Sequence, residues 1–335
     1  QTDEDKKIGD EFIKKLQAYL DANYDADEVD RTGEISESVL KGLAELGCFA
    51  MKIPTQYNGL GLSQVNYNRA LHLTGSYCGN LTALLSAHQS IGVPQPLLMF
   101  GTDEQKEKFL PRFRDGAISA FALTEANAGS DPRAMTTAAT PTEDGSHYII
   151  NGEKLWCTNG TKANVIVVMA VTPPKIVRGK ERKQITAFLV EMDTPGVEVL
   201  HRCRFMGLKA LYNGVIRFTD VKIPKENMIL EEGDRLRLAL KTLNTGRLSI
   251  PAGVTGSSKW CMQINRKWTN ERVQWGHPIG EHETIAGKQA KIASDTFAMD
   301  AVWNAASAMA DNKHFDIRLE AAIAKLFNTV AHYEL

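Results

Sequence analysis

Residues 121–131 read Phe-Ala-Leu-Thr-Glu-Ala-Asn-Ala-Gly-Ser-Asp and mark the point at which a strand gives way to a polar loop. Alternating residues from Ile118 to Leu123 indicate the strand, and the small and polar residues that follow cannot continue it. A strand that ends in this way exposes backbone N–H groups and hydroxyls at one place, which suits a planar, hydrogen-bonding ring and its phosphates. The same residues are also typical of an ordinary turn, so this stretch alone leaves both interpretations open.

The composition is that of an ordinary globular protein without a basic surface. The 335 residues (37.0 kDa) are enough for a large core and for two or three domains. Lys and Arg number 39 against 40 Asp and Glu, which gives a formal net charge of -1. No global positive field attracts nucleic acid or an anionic membrane, and we expect no nucleic-acid partner.

Cysteine usage predicts a reducing compartment. The five cysteines are odd in number, widely spread and without a Cys-x-x-Cys pair, so the sequence predicts neither a disulfide framework nor a metal site. No apolar run reaches the roughly 18 residues of a membrane span, and the charged start is not a secretory signal. We expect a protein without a transmembrane segment in the bacterial cytoplasm or the mitochondrial matrix, not a secreted one.

The first part of the chain has helical periodicity. Apolar residues recur at helical spacing over 5–20 and 35–46, where Gly47 closes a helix. Further helices are predicted over 64–77 and 80–91, and another begins at Thr102, which has capping-box spacing to Gln105. The sequence therefore predicts an N-terminal helical domain over 1–117.

Near Gly116 the period changes from helical to alternating, which predicts a β domain over 118–224. Short strands separated by turns favour a compact antiparallel sandwich or barrel. The residues between Thr172 and Gln184 are rich in Lys and Arg and are predicted to form a loop, either solvated or facing an anionic ligand. The predicted strands are 118–123, 134–140, 147–151, 164–171, 185–191, 196–201 and 213–221.

The chain turns helical again after Pro224, with helices predicted over 233–270, 284–312 and 316–334. Pro251 lies inside the first of these and is expected to kink it or to cost a backbone hydrogen bond. The last helix is apolar on one face and has no stop signal before Leu335. We therefore expect a C-terminal helical domain over 225–335 that is truncated and lacks packing partners.

Several further motifs follow one another along the chain. They are Thr124-Glu125-x-x-Ala128-Gly129-Ser130-Asp131, the run 148–160 (Tyr-Ile-Ile-Asn-Gly-Glu-Lys-Leu-Trp-Cys-Thr-Asn-Gly), Phe188-Leu-Val-Glu191, Asp193-Thr-Pro-Gly196, Met206-Gly207-Leu208, residues 215–224, Arg272-x-x-Trp275-Gly276 and Pro278-Ile279-Gly280. With the predicted elements, these motifs resemble the acyl-CoA dehydrogenase family of flavoproteins, nearest to the very-long-chain type and its large bacterial relatives. The resemblance implies an α+β fold with an N-terminal helical domain, a central antiparallel β barrel or sandwich and an incomplete C-terminal helical bundle.

The resemblance also implies a function. It implies FAD as cofactor, α,β-dehydrogenation of a fatty acyl-CoA to a trans-2-enoyl-CoA, an electron-transfer flavoprotein as electron acceptor, and a homo-oligomer, either a dimer or a tetramer. Donors at the carbonyl edge of a flavin would stabilise the negative charge that this edge gains on reduction.

The cofactor residues that the resemblance implies fall into three segments. In the first loop, backbone groups of Phe121 and Leu123 and the side chain of Thr124 would face the pyrimidine edge of FAD. Ser130 would touch the pyrophosphate or the thioester ligand. In the second loop, Trp156-Cys157-Thr158, the indole would cover a flavin face and the Thr158 hydroxyl would lie near N5; plain core packing is the alternative for Trp156.

The third segment and the substrate residues lie later in the chain. Arg272 and Trp275 would reach the pyrophosphate and adenine side of FAD, since a guanidinium can meet two phosphate oxygens at once. Glu283 stands where relatives often have Gln, which puts that position in doubt. Asn244 and Arg247 would bond to the CoA chain or a substrate carbonyl, or else are ordinary helix surface.

The catalytic base that the family needs is not found where the resemblance would place it. Gly246 occupies a position where some members carry a catalytic Glu, and the sequence has neither the Gly-Gly-x-Gly turn nor the Glu that follows it in most members. Nothing assigns this role to Glu320 or Glu334. We expect the Glu beyond Leu335 in a longer dehydrogenase; alternatives are a non-catalytic binding or scaffold protein, and an acyl-CoA oxidase that uses oxygen.

Overall fold

The computed structural model describes residues 1–177, 179–230, 236–312, 314 and 316–335, and these residues form two compact units. One unit, the helical unit, comprises Gln1–Ala26, Leu62–Thr82 and Asn244–Leu335. The other, the β unit, comprises Asp27–Gly61 and Ala83–Leu243. The three-domain boundaries at residues 117 and 224 remain a prediction.

The helical character of the first hundred residues is confirmed, and the polar caps explain where several helices begin. Ser36, Ser63 and Thr102 accept backbone N–H bonds at the starts of α3, α4 and α7, and Thr102 and Gln105 form the predicted capping box. The helix predicted over 80–91 ends in a π-helical turn, Ala87–Ile91. The helices are α1 (Asp3–Asn23), α2 (Ala26–Thr32), α3 (Glu37–Glu45), α4 (Gln64–Tyr77), α5 (Gly79–Ser86), α6 (Pro94–Phe100) and α7 (Asp103–Phe109).

The central β domain is confirmed as a sheet in which most neighbouring strands run antiparallel. Its order is β6-β7-β3-β2-β4-β5-β8, and β1 pairs with β4 beside this path. The pairings of β4 with β1 and β2 are parallel. The strands are β1 (Ser119–Ala122), β2 (Ala138–Pro141), β3 (His147–Cys157), β4 (Val165–Val177), β5 (Lys180–Glu191), β6 (Val197–Arg202), β7 (Gly214–Pro224) and β8 (Met228–Ile229).

Two predictions for this sheet are wrong. The basic segment 172–184 is a continuation of the β4–β5 hairpin, in which Lys175 lies opposite Arg182; residue 178 lies outside the described residues. An irregularity between Thr172 and Lys175 accommodates the two prolines there, which cannot donate to a ladder. The start predicted for the strand 134–140 is also wrong: Pro132–Ala134 form a 3₁₀ turn, whose first position suits Pro132, and the strand, β2, begins at Ala138.

Strands β4 and β5 are buried on both faces, which makes them the centre of the β unit. On one face, Ile166, Val168 and Phe188 pack in a cluster with residues of β1, β3 and β7. On the other face, Val167 and Leu189 pack against helical residues that include Leu97, Phe109 and Phe113. Strand β1, which leads into residues 121–131, is therefore fixed from both sides.

Three long helices close the chain, as predicted: α8 (Leu236–Glu271), α9 (Glu283–Asp311) and α10 (Arg318–Glu334). The predicted start of α8 at 233 lies outside the described residues. Pro251 lies within α8, and the Thr255 hydroxyl donates to its carbonyl at 2.7 Å. The structure leaves one side of α10 exposed, including Leu319, Leu326 and Tyr333; that this side packs on a partner stays a prediction.

Within the described ranges, no helix is long and apolar enough to cross a membrane.

A buried amide joins these three helices. Asn328 on α10 is fully buried, and its Nδ2 donates to Thr255 Oγ1 on α8 (3.0 Å) and to the Met299 carbonyl on α9 (2.9 Å). We expect Asn328→Ala to lower the free energy of unfolding by about 2–3 kcal/mol, because two buried hydrogen bonds are lost and a cavity is left. Urea unfolding measures this loss.

The neighbouring residue supplies the control. Thr329 is half-buried, and among the described residues its hydroxyl bonds the Lys325 and Leu326 carbonyls of its own helix and no other element. Thr329→Ala should therefore stay within about 0.5 kcal/mol of the parent chain. Equal effects of the two substitutions would contradict the bridging role of Asn328.

Candidate functional site

The two loops singled out in the sequence lie side by side in the β unit. The Leu155 N–H donates to the Thr124 carbonyl at 2.9 Å, and Lys154 Nζ donates to the Leu123 carbonyl at 3.1 Å. The Cys157 thiol lies 3.7 Å from the Phe121 carbonyl. The chain therefore brings the end of β1 and the end of β3 together, although about thirty residues separate them in sequence.

A buried ion pair holds the turn after β1. Lys154 Nζ lies 2.7 Å from Glu125 Oε1, and the side chains are 0% and 6% exposed. The Glu125 carboxylate also accepts from the Thr136 N–H and hydroxyl and from the Thr137 N–H, at 2.6, 2.9 and 3.0 Å. Because each charge faces the other and has further hydrogen-bond partners, the pair can fix the loop without an uncompensated buried charge.

These contacts decide the protonation of the pair. Burial raises the pKa of Glu125, but the bonds from Lys154, Thr137 and Thr136 outweigh it and lower the pKa from 4.5 to about 2. Burial lowers the pKa of Lys154, which the bond to Glu125 opposes. At neutral pH the Glu125 carboxylate is therefore ionised.

The lowered pKa of Glu125 makes the stability of the β unit depend on pH. The stabilisation by its ionised form is fully present above about pH 4.5 and is lost as the pH falls toward the folded-state pKa of about 2. We expect the difference in unfolding free energy between the parent chain and Glu125→Gln to shrink as the pH is lowered from about 6 to about 3. Urea titrations across this range measure it, and a constant difference would contradict the assignment.

A β-bulge turns Trp156 outward. The pairing of β3 with β7 is irregular between Lys154 and Cys157, and Trp156 has the left-handed φ of 57°. Its side chain is 52% exposed, with the Phe205 ring 5.8 Å away at 36°. The core-packing alternative for Trp156 is therefore wrong, and one indole face is free to cover a planar ligand.

The next two residues point in different directions. The Cys157 side chain is buried in the β core, and burial raises the pKa of its thiol to about 12, so only its main chain could contact a cofactor. Thr158 is half-buried, and its hydroxyl oxygen accepts from Asn213 Nδ2 at 3.1 Å. None of the described residues accepts the proton of this hydroxyl.

The first loop also has free polar groups. Thr124 is half-buried and Ser130 is exposed, and neither hydroxyl bonds to another residue in the part of the chain that the structure describes. Asn159 Oδ1 and Thr161 Oγ1 in the second loop are buried without a protein partner. Buried polar groups are usually hydrogen-bonded, so this surplus of unpaired groups fits a site completed by a polar, planar cofactor.

The predicted Arg272 and Trp275 lie in the helical unit, on a short hairpin that the sequence did not predict. Strands β9 (Val273–Gln274) and β10 (His277–Pro278) flank Trp275 and Gly276, whose φ angles of 52° and 85° match a type I′ turn. Both side chains are exposed, and no described side chain pairs with the Arg272 guanidinium. The guanidinium is therefore available to an anion; that it binds the pyrophosphate of FAD stays a prediction.

The two predicted substrate residues also lie in the helical unit. Asn244 and Arg247 share one face of α8, where Arg247 Nη1 donates to Asn244 Oδ1 at 2.8 Å. The Asn244 amide nitrogen and further guanidinium N–H groups stay available, so this pair can present donors to a carbonyl.

Family models match almost the whole chain in three consecutive segments. The acyl-CoA dehydrogenase N-terminal domain matches residues 2–117, the middle domain 120–221 and the C-terminal domain 234–335. The chain belongs to the acyl-CoA dehydrogenase family. In family terms, both loops of the candidate site lie in the middle domain, while Arg272 and Trp275 lie in the C-terminal one.

Named relatives agree with this. The chain is 51% identical over 318 residues to the probable acyl-CoA dehydrogenase FadE10 of Mycobacterium tuberculosis, covering 95% of this chain and 48% of that protein. It is 34% identical to the mitochondrial very long-chain specific acyl-CoA dehydrogenase of Rattus norvegicus, covering 97% and 50%. The chain thus spans about half the length of these curated relatives.

A solved relative is similar in three dimensions. The acyl-CoA dehydrogenase from Bacillus anthracis, solved in complex with FAD, superposes with a TM-score of 0.85 at 28% identity; the match covers 100% of this chain and 58% of that one.

The sequence alone assigned no role to three residues that hold these two loops in place. Glu125 and Lys154 stand within the quoted motifs, and a Lys at an inward position of a strand is a signal for a buried charge that needs a partner. Asn213 lies outside those motifs and is 57 residues from Trp156, which it contacts, so no local pattern indicates it.

Proposed function

We propose that this acyl-CoA dehydrogenase family chain binds FAD and takes part in the α,β-dehydrogenation of a fatty acyl-CoA to a trans-2-enoyl-CoA. The observation that supports it most concerns the Thr158 hydroxyl, which lies beside the half-exposed Trp156 indole. Its oxygen accepts a hydrogen bond from Asn213, and its proton has no acceptor among the described residues. An ordinary turn needs neither an unpaired hydroxyl proton nor an exposed aromatic face, and this loop has both.

The residues of the two loops have distinct roles in this proposal. Phe121, Leu123 and Thr124 would present main-chain and hydroxyl groups to the polar edge of the ring, and Trp156 would cover one of its faces. Thr158 would donate a hydrogen bond near N5, and Ser130 would meet the pyrophosphate or the thioester. When bound, FAD supplies a hydride acceptor; the protein supplies orientation, donors and exclusion of water.

The remaining predicted residues lie in the C-terminal part of the chain. Arg272 would bind the pyrophosphate, where a guanidinium can donate two parallel hydrogen bonds, and Trp275 would lie on the adenine side. Asn244 and Arg247 would bind the CoA chain or the thioester carbonyl. We further propose an electron-transfer flavoprotein as electron acceptor and a homo-oligomeric assembly, and we assign the catalytic base to no described residue.

Reconstitution tests this function directly. The purified protein, produced as its whole natural chain, mixed with FAD and desalted, should retain a yellow chromophore, and anaerobic addition of saturated acyl-CoA thioesters should bleach it. A protein that stays colourless would overturn the proposal. Retained flavin that no thioester bleaches would instead support the binding or scaffold alternative, and oxygen uptake during turnover would support the oxidase alternative.

A further inference from the structure

The orientation of the Asn213 amide is fixed by its surroundings. Its Nδ2 lies 3.3 Å from the Trp156 carbonyl oxygen and 3.1 Å from Thr158 Oγ1. A carbonyl oxygen can only accept, so the Asn213 atom that faces it must be the nitrogen rather than the oxygen. The amide therefore also donates to Thr158.

This donation determines where the Thr158 proton can go. A threonine hydroxyl has one proton and two lone pairs, and one lone pair is taken by Asn213. Since Asn213 Nδ2 cannot accept, the proton of Thr158 must point elsewhere. Asn213 is only 5% exposed, which limits competition from water for this contact.

We propose that Asn213 is a positioning residue that makes the Thr158 hydroxyl a donor toward the bound flavin and secures the bulge at Trp156. The inference rests on the proposed function, because it assumes a flavin beside Thr158. One amide thereby controls both the hydrogen bond near the ring and the aromatic side chain on its face.

The far side of the same amide supports this role. Asn213 Oδ1 is buried and has no hydrogen-bond partner in the described structure. An apolar side chain would avoid the cost of that unpaired oxygen, so packing alone does not explain an amide here. The two hydrogen bonds that Nδ2 donates do explain why an amide stands at this position.

A double-mutant cycle tests the proposal. Asn213→Asp replaces the donor with an acceptor of the same shape, and Asn213→Ala removes it; each is made alone and together with Thr158→Ala. The readouts are the visible spectrum and midpoint potential of the bound flavin, measured without turnover, and the rate of anaerobic bleaching by acyl-CoA. We expect Asn213→Asp to slow bleaching about 100-fold and Asn213→Ala about 10-fold, with an altered flavin spectrum and potential in both.

In the Thr158→Ala background, the same changes at Asn213 should alter the bleaching rate less than about 3-fold, because the hydroxyl that they reorient is gone and only the bond to the Trp156 carbonyl remains to be lost. Multiplicative effects, or an unchanged spectrum and potential in both single variants, would overturn the proposal. If Asn213→Asp does not fold, the Asn213→Ala cycle decides the question. Failure of the proposed function shows in the parent protein. Without FAD uptake this inference falls as well, whereas a retained flavin that no thioester bleaches leaves the flavin spectrum and potential of the variants to decide it.

Discussion

Lys154→Met should lower the free energy of unfolding of this chain by about 3–5 kcal/mol, the largest effect that we expect from a single substitution outside the apolar core. The change removes the ammonium but keeps most of the side-chain volume. Glu125 then remains buried with its charge unpaired, and the Leu123 carbonyl loses a donor. Urea unfolding at neutral pH measures the effect.

The neighbouring residue on the same strand provides a matched control. Glu153 pairs with Arg217 at 3.1 Å, but both side chains are 49% exposed. Exposed pairs contribute about 0–1 kcal/mol because water and salt screen them, so Glu153→Gln should have little effect. Similar losses for Lys154→Met and Glu153→Gln would show that burial of the Lys154–Glu125 pair does not matter.

Thr158→Ala should reduce the rate of anaerobic flavin bleaching by acyl-CoA about 100-fold, if the chain functions as proposed. The substitution removes a donor whose proton has no acceptor among the described residues, and loss of a single preorganised donor costs roughly 100- to 1,000-fold in other enzymes. FAD uptake should persist, since the remaining loop contacts are unchanged. Stopped-flow absorbance at the flavin band measures the rate.

Two controls separate this effect from general damage. Thr158→Ser keeps the hydroxyl and should bleach within about 3-fold of the parent rate. Thr219→Ala alters an exposed threonine on β7 of the same unit and should leave the rate unchanged. A slow Thr158→Ser variant would mean that the methyl group, rather than the hydroxyl, carries the effect.

Local patterns predicted most of the secondary structure because caps and periodicity act over a few residues. The capping box at Thr102 and Gln105 was read from four residues and is present. The hairpin over 172–184 was missed because its charged, proline-containing sequence has no apolar alternation, and pairing with the opposite strand is what holds it extended.

In the candidate site, too, local features were predicted and long-range contacts were not. The loops were predicted from their own residues and from family resemblance, and the structure places them together. The bulge at Trp156 and the contact from Asn213 depend on strands that pair from distant parts of the chain, which no local window records. Parallel pairing of β1 with β4 was missed for the same reason.

The long-range pairing of the sheet also sets the order in which this site can form during folding. Lys154 meets Leu123 across 31 residues and Asn213 meets Trp156 across 57, and closing such loops is slow compared with forming helices. Even after a loop has been synthesised, we expect it to lack its final shape until β7 pairs with β3. On a ribosome, therefore, we expect these loops to reach their final shape only after the residues of β7 have emerged.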